Sequence, residues 1–583
     1  MPTIADYLKF ANLQMAAEAL YDFNATPPGT NLTPGDKRTD VSLTVANLTD
    51  GNLHASKFSA IEAAKFVDQW KVVEHISNTS TGFSGTLFQA LKNDLSQNIK
   101  AGDLVLSFRS TEFIDDAARD NEATNKLEIK DKGFAFGQLS DMEDWFLSLQ
   151  GKITGPLSVT GYSLGSHLAT AFNLMHPGVV TQVINFNGAG LGKIGDGSLA
   201  TIQAELPNMI RRFRNLRAQG ESTGLAGQLQ TTEGRAAYQA LKIALALPVR
   251  NGVPDASLVD IVNNMPSNAP NEPRTGDNQA DYLLLWNALD RALAVTNKAH
   301  SVGQLTSGST AVPPNPATIP DHAPDGSLAI AAESLDYQLA VLITEREFNT
   351  APLSISAGIS AALGTPTPAP GGALTNQWDV AATETTTPPW YMVAYSQYRY
   401  GNDVKLFIED QPFKRGNVLG ETVKALLEGN IELLHEQYAN NDFGDTHSLT
   451  LIVDSLNVQN TLMQLVPAAD PAGAASALDA ILKNASWRKA EINSGQGQAE
   501  GDVLENVVNA LADLILGPQL KTDRLNGSAE GNTWWDTQNK IVGDTTYTGR
   551  DKLYEKLDAI AKFVVSDAFK PLAKLKGSAS ILF

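Results

Sequence analysis

Between residues 155 and 190 a strand, a glycine-flanked turn, a helix and a second strand follow one another, and no other stretch restricts the fold so tightly. Leu157-Ser158-Val159-Thr160 has the texture of a short buried strand. Gly161-Tyr162-Ser163-Leu164-Gly165 comes directly after it. Leu164, Leu168, Ala171, Phe172 and Met175 then fall on one stripe at helical spacing, and Pro177-Gly178 ends the helix. Residues 179–186 read as the next strand. This alternation is the sequence sign of a parallel sheet with crossover helices.

The turn carries the sharpest chemical signal. A serine hydroxyl is a weak nucleophile unless a base takes its proton and its oxygen is held clear of the backbone. A tight strand-to-helix bend meets the second condition, and glycines on either side leave room for the neighbouring strand and helix. Five residues alone match by chance in long chains, and a serine in an ordinary strand-to-helix turn is the plainer alternative. The strand before the turn and the helix after it favour the elbow.

Around this unit the chain divides by texture. Residues 5–24 and 57–78 have helical spacing, and 87–98 continues the pattern. Residues 104–108 (LVLSF) form a short apolar run suited to a buried strand. A polar stretch at 112–132 leads into a helix at 134–149. From 196 to 373 the pattern is mostly helical, with helices expected at 204–217, 235–247, 281–299 and 328–345. Proline-rich loops interrupt it at 311–326 and 364–372. Strands return at 374–380, 391–400 and 404–408, and beyond His447 the chain is mainly helical. The expected class is therefore α/β, with a mostly parallel central sheet, a large helical insertion and a helical C-terminal region; the elbow at Ser163 makes the expectation an α/β-hydrolase fold. We expect a catalytic domain over 1–460 and helices packed on it over 461–583.

Composition removes several alternatives. A formal charge of −20 disfavours nucleic acid, whose phosphates need a basic footprint. With no cysteine, the chain has no disulfide, thiol nucleophile or cysteine-bound metal. The amino terminus lacks the basic and apolar regions of a secretory signal, and no apolar run approaches the ~18 residues of a membrane span. No phosphate-binding loop or calcium-binding glycine repeat is present. Acidic clusters at Asp115-Asp116 and at Asp141-Met142-Glu143-Asp144 read as solvated turns and helix ends, so no metal and no cofactor are expected.

LSFRST at 106–111, followed by GYSLGSHLATAF at 161–172, resembles the lipase class 3 family, in which an FRGT-like strand end precedes a GHSLGG-like elbow. GFAFGQLSDMEDWF (133–146) and FIEDQPFKRG (407–416) are similar to the catalytic module of large bacterial lipases linked to RTX-type secretion. The resemblance covers roughly 100–190 and 374–460. Tyr162 and Ser166 stand where the family has His and Gly, and Ser110 where it has the Gly of FRGT.

Carried onto this chain, the resemblance implies an oxyanion hole at Thr111 and at the backbone N–H of Leu164. For Thr111 the alternative is a surface threonine after a strand. Triad order in such folds is Ser, acid, His. Among the histidines after Ser163, His167 and His176 ride on the helix leaving the elbow, so they read as solvated side chains or helix-dipole partners. His300 and His322 lie in or beside the insertion, and His435 falls inside a helical run. His447 sits in a loop (FGDTHS) opening an apolar helix and matches the family's catalytic histidine; a capping histidine is the alternative. For the acid, Asp379 ends an expected strand before a proline-containing loop and YSQYRYGNDVKLFIED, as in the family. Asp403 and Asp445 are rivals, Asp403 in a turn where aspartate is common for conformational reasons.

The resemblance further implies a serine ester hydrolase acting on lipid or other carboxylic esters, with the 112–146 segment in the place of a lid. Phospholipase A1 activity and a non-catalytic lipid- or partner-binding module are the alternatives. It suits extracellular release by signal-peptide-independent bacterial secretion; a cytoplasmic enzyme is the alternative.

Overall fold

In the computed structural model the chain is described at residues 1–19, 21, 37–39, 43–52, 56–111, 117–219, parts of 287–295, 331–350, 367–369, 374–382, 398–406, 449–464, 508 and 549–564. The centre is an eight-stranded sheet in the order β1-β2-β3-β4-β5-β6-β8-β10. Its strands are β1 (Lys37–Thr39), β2 (Trp70–Ile76), β3 (Gly85–Ala90), β4 (Leu104–Phe108), β5 (Leu157–Tyr162), β6 (Val180–Phe186), β8 (Gln377–Ala382) and β10 (Asn402–Leu406). From β4 onward every pairing is parallel, while β1 to β4 form an antiparallel meander. A small parallel pair, β7 (Thr367–Pro368) and β9 (Tyr398–Arg399), lies apart. The α/β class expected from the sequence holds.

The parallel strands are buried on both faces, which is why they read as apolar runs. Alternation still sorts their side chains. Leu104, Leu106, Phe108, Leu157, Val159 and Val183 join one core with α4 (Phe136–Leu149), α5 (Leu164–Met175), α6 (Leu199–Gln219) and α7 (Leu335–Phe348). Val105, Tyr162, Ile184, Phe186, Val380 and Leu406 join the other with α1 (Ile4–Ala17), α3 (Ala60–Gln69) and α8 (Leu449–Gln464). The short α2 (Val45–Asp50) contacts α3, and α9 (Gly549–Val564) contacts α3 and α8. Tyr554 on α9 donates to Asp454 on α8 at 2.5 Å.

Two expected helical stretches are corrected in part: 57–78 holds α3 at Ala60–Gln69 but not beyond it. Residues 70–76 and 85–90 are strands, because each bonds laterally to a neighbour and that pairing outweighs a pattern with helical spacing. The 112–132 segment is not simply polar surface: a π-helix spans Ala117–Lys130, with Arg119, Asp120, Thr124 and Glu128 buried. Gln138 donates to Asp120 at 2.7 Å, and Arg119 to the Thr79 carbonyl at 3.0 Å, so its polar side chains are spent inward. α6 and α7, from the expected insertion, pack on the α4–α5 face through Phe213, whose ring lies 5.7 Å from Phe136 and 5.3 Å from Tyr337.

Candidate active site

Ser163 lies at the junction of β5 and α5 with φ 52° and ψ −114°. A non-glycine residue in that region is strained by about 1–3 kcal/mol and is held there only by its surroundings. Those surroundings are visible. Ser163 N–H donates to the Phe186 carbonyl at 3.0 Å, and its own carbonyl accepts from Ser166 N–H at 3.1 Å and Ala189 N–H at 3.3 Å. A Cβ on Gly161 would sit 2.2 Å from the Gly165 backbone, and one on Gly165 would sit 2.2 Å from the Phe108 carbonyl oxygen. Glycine is therefore required at both positions by close approach of backbone to backbone.

The side chain of Ser163 is half-buried at the carboxyl edge of the sheet. Leu164 is the first residue of α5, and N–H groups in a first helical turn have no acceptor within the helix. The side chains on either side of the bend, Tyr162 and Ser166, are both buried. Tyr162 points to the α1 side and is buried there, away from the bend. Ser166 is buried too and donates to the Gly161 carbonyl at 2.7 Å and the Phe186 carbonyl at 3.1 Å, tying the elbow to β6.

Register brings Thr111 near this bend. Phe108 pairs with Gly161 across β4 and β5, so the residues just beyond each leave the sheet on the same edge. Thr111 is half-buried, and its Oγ1 accepts from Asn125 Nδ2 at 2.9 Å.

Asp379 lies inside β8 rather than at its end, because pairing with β6 and β10 carries the strand on to Ala382. It is level with Asn185 and Gly161, two strands from the elbow, on the face that carries α5. Gly188 N–H donates to its Oδ1 at 3.3 Å, and Arg399 Nη1 lies 3.1 Å from Oδ2. The 187–190 loop thus touches both Asp379, through Gly188, and Ser163, through Ala189. Burial pushes the Asp379 carboxyl above the usual range, with Asp403 adding to the rise; Arg399 and the Gly188 N–H oppose it. Asp403 pairs laterally with Asp379 in β10 and shares Arg399 at 3.4 Å, but its side chain is 49% exposed. His447 and Asp445 lie outside the described residues, as do His300, His322, His435 and the acidic pair Asp115-Asp116.

Comparison with family models, curated proteins and solved structures finds no match. The site stands on its own geometry.

The two histidines of α5 differ from each other. His176, the C-cap of the helix, meets Glu143 at 2.7 Å, as a helix-end partner would. His167 is fully buried rather than solvated, because the helix face it occupies packs against two loops. Its Nε2 accepts from Ala135 N–H at 3.1 Å and its Nδ1 donates to the Gly190 carbonyl at 2.9 Å. Burial lowers its pKa to about 4. The acidic run at 141–144 is likewise paired: Asp141 with Arg217 at 3.2 Å, Glu143 with His176, and Asp144 with Arg214.

Residues missed by sequence reasoning are Arg399 beside Asp379, and Glu18, which grips the strand end before Thr111. Glu18 has a faint sequence signal, as a lone acid within MAAEAL. Among the described residues no group of three or more possible metal ligands comes together, and no helix is long and apolar enough to cross a membrane.

Proposed function

We propose that this chain is a serine hydrolase with the α/β-hydrolase fold, acting on carboxylic esters and foremost on lipid esters. The observation that carries the reading is the positive φ of Ser163 at a strand-to-helix bend closed by Gly161 and Gly165. Strained residues held by their surroundings cluster at active sites, and a serine at such a bend carries its hydroxyl clear of the backbone.

In this reading Ser163 Oγ attacks the ester carbonyl while His447 takes its proton. Asp379 orients the imidazole and stabilises its charge, and the alkoxide leaves with the proton returned by His447. Water then attacks the acyl-serine by the reverse sequence, restoring Ser163 and releasing the acid. Backbone N–H groups at Thr111 and Leu164 receive the negative charge on the tetrahedral oxygen, one such donor being worth about 3 kcal/mol. The lipid preference rests on the class 3 lipase resemblance, and secretion without a cleaved signal is proposed on the same ground.

Fluorophosphonate labelling tests the reaction class. The reading expects covalent label on Ser163 that Ser163→Ala and His447→Ala both lose. Rates on short p-nitrophenyl esters, emulsified triglyceride and phosphatidylcholine assign the substrate. Absence of label on the folded wild-type protein would leave a binding module as the better account.

A further inference from the structure

Glu18 is buried to 1% exposure just past the end of α1, against the sheet edge from which Thr111 emerges. Its carboxylate is occupied on both oxygens. Oε1 accepts from Ser110 N–H at 3.0 Å and from Gln14 Nε2 at 2.7 Å, and Oε2 accepts from Ser110 Oγ at 2.9 Å. The grip is extended on either side: Gln14 Nε2 also donates to the Phe108 carbonyl at 2.9 Å, and Arg109 Nη2 donates to the Glu18 carbonyl at 3.0 Å. Ser107 Oγ closes the set by donating to Gln14 Oε1 at 2.8 Å.

We propose that Glu18 is a positioning residue for oxyanion binding, clamping Ser110 at two points so that the next backbone N–H, that of Thr111, is aimed at the reacting carbonyl. The proposal rests on the serine hydrolase reading above. Holding Ser110 by both its N–H and its Oγ fixes that residue's backbone, and the bond from Asn125 to Thr111 Oγ1 at 2.9 Å fixes the next. The peptide between two such anchors has little freedom left. The clamp also explains why serine replaces the glycine of FRGT here: the extra hydroxyl is the handle that Oε2 holds. Preorganised donors stabilise a transition state because they need no reorientation as charge develops. Burial pushes the Glu18 carboxyl above the usual range; Arg109 and the bonds from Ser110 and Gln14 oppose that rise without overcoming it.

The test uses the full chain with Glu18→Gln, which keeps shape but loses one acceptor, and with Ser110→Ala and Ser110→Thr. Steady-state kcat and KM on a short p-nitrophenyl ester are measured beside the rate of fluorophosphonate inactivation. Glu18→Gln should lower kcat and the inactivation rate together by about 10- to 100-fold, with KM within about twofold, since only a transition-state interaction is weakened. Ser110→Ala should lose about 3- to 10-fold and Ser110→Thr should retain activity, because the hydroxyl is what Glu18 holds. Ser110→Ala also decides the matter should Glu18→Gln not fold. If the wild type labels at Ser163 while Glu18→Gln and Ser110→Ala keep wild-type kcat and inactivation rate, the positioning role is overturned and the hydrolase reading survives. If the folded wild type takes no label at Ser163, both fall together.

Discussion

Glu128, on the π-helix Ala117–Lys130, should make the pH dependence of stability visible in a single substitution. Its side chain is buried, accepting from the Tyr337 hydroxyl and from Gly137 N–H at 3.4 Å. Burial raises its pKa from 4.5 to about 7, against the opposing pull of those bonds and of Arg291 and Arg217. An acid whose folded pKa is raised holds its proton in the folded state over an interval in which the unfolded chain has lost it. Folding is therefore favoured at and below pH 4.5 and loses that advantage as pH climbs to 7 and beyond. A shift of about 2.5 units at 1.36 kcal/mol each amounts to roughly 3 kcal/mol. Glu128→Gln keeps the volume and the acceptor for Tyr337 but carries no titrating proton. Urea unfolding of both proteins from about pH 4.5 to about pH 8 should show the variant gaining roughly 3 kcal/mol relative to the parent across the range. Parallel stability curves would refute the reasoning, since they would mean that Glu128 ionises alike in both states.

His167 works in the opposite sense. With its folded pKa lowered to about 4 from 6.5, it stays neutral in the folded state while the unfolded chain takes up a proton. That contribution is present above pH 6.5 and falls by roughly 3 kcal/mol as pH drops to 4, so it nearly cancels Glu128 over a shared window. His167→Gln should be less stable at neutral pH yet lose less stability on acidification, read by the same urea series. At the elbow, Ser163→Gly should be about 1 kcal/mol more stable than Ser163→Ala, because only glycine is relaxed at φ 52°. Equal melting temperatures for the two would show that the bend holds no backbone strain.

The elbow was legible in the sequence because its determinants are local. Gly161, Ser163 and Gly165 act on backbone within a few residues of themselves or on the strand alongside, and the apolar stripe of α5 fixes the helix that follows. The strands at 104–108, 157–162 and 180–186 were legible for a related reason, since burial on both faces leaves apolar runs. Residues 70–76 and 85–90 were not, because antiparallel pairing with partners outside the segment overrode a helical spacing. The partners of Asp379 and of Ser110 were beyond reach for the same physical cause. Arg399 meets Asp379 from β9, a different element from the β8 that carries the acid, and Glu18 meets Ser110 across 92 residues. Such pairs carry no periodicity or spacing along the chain. By itself, then, the sequence determined the α/β layering and the site of the bend, which depend on near-neighbour sterics and patterned burial. Only the tertiary structure decided which buried charges oppose one another and what holds the backbone beside the serine, because those contacts exist only once distant segments have packed.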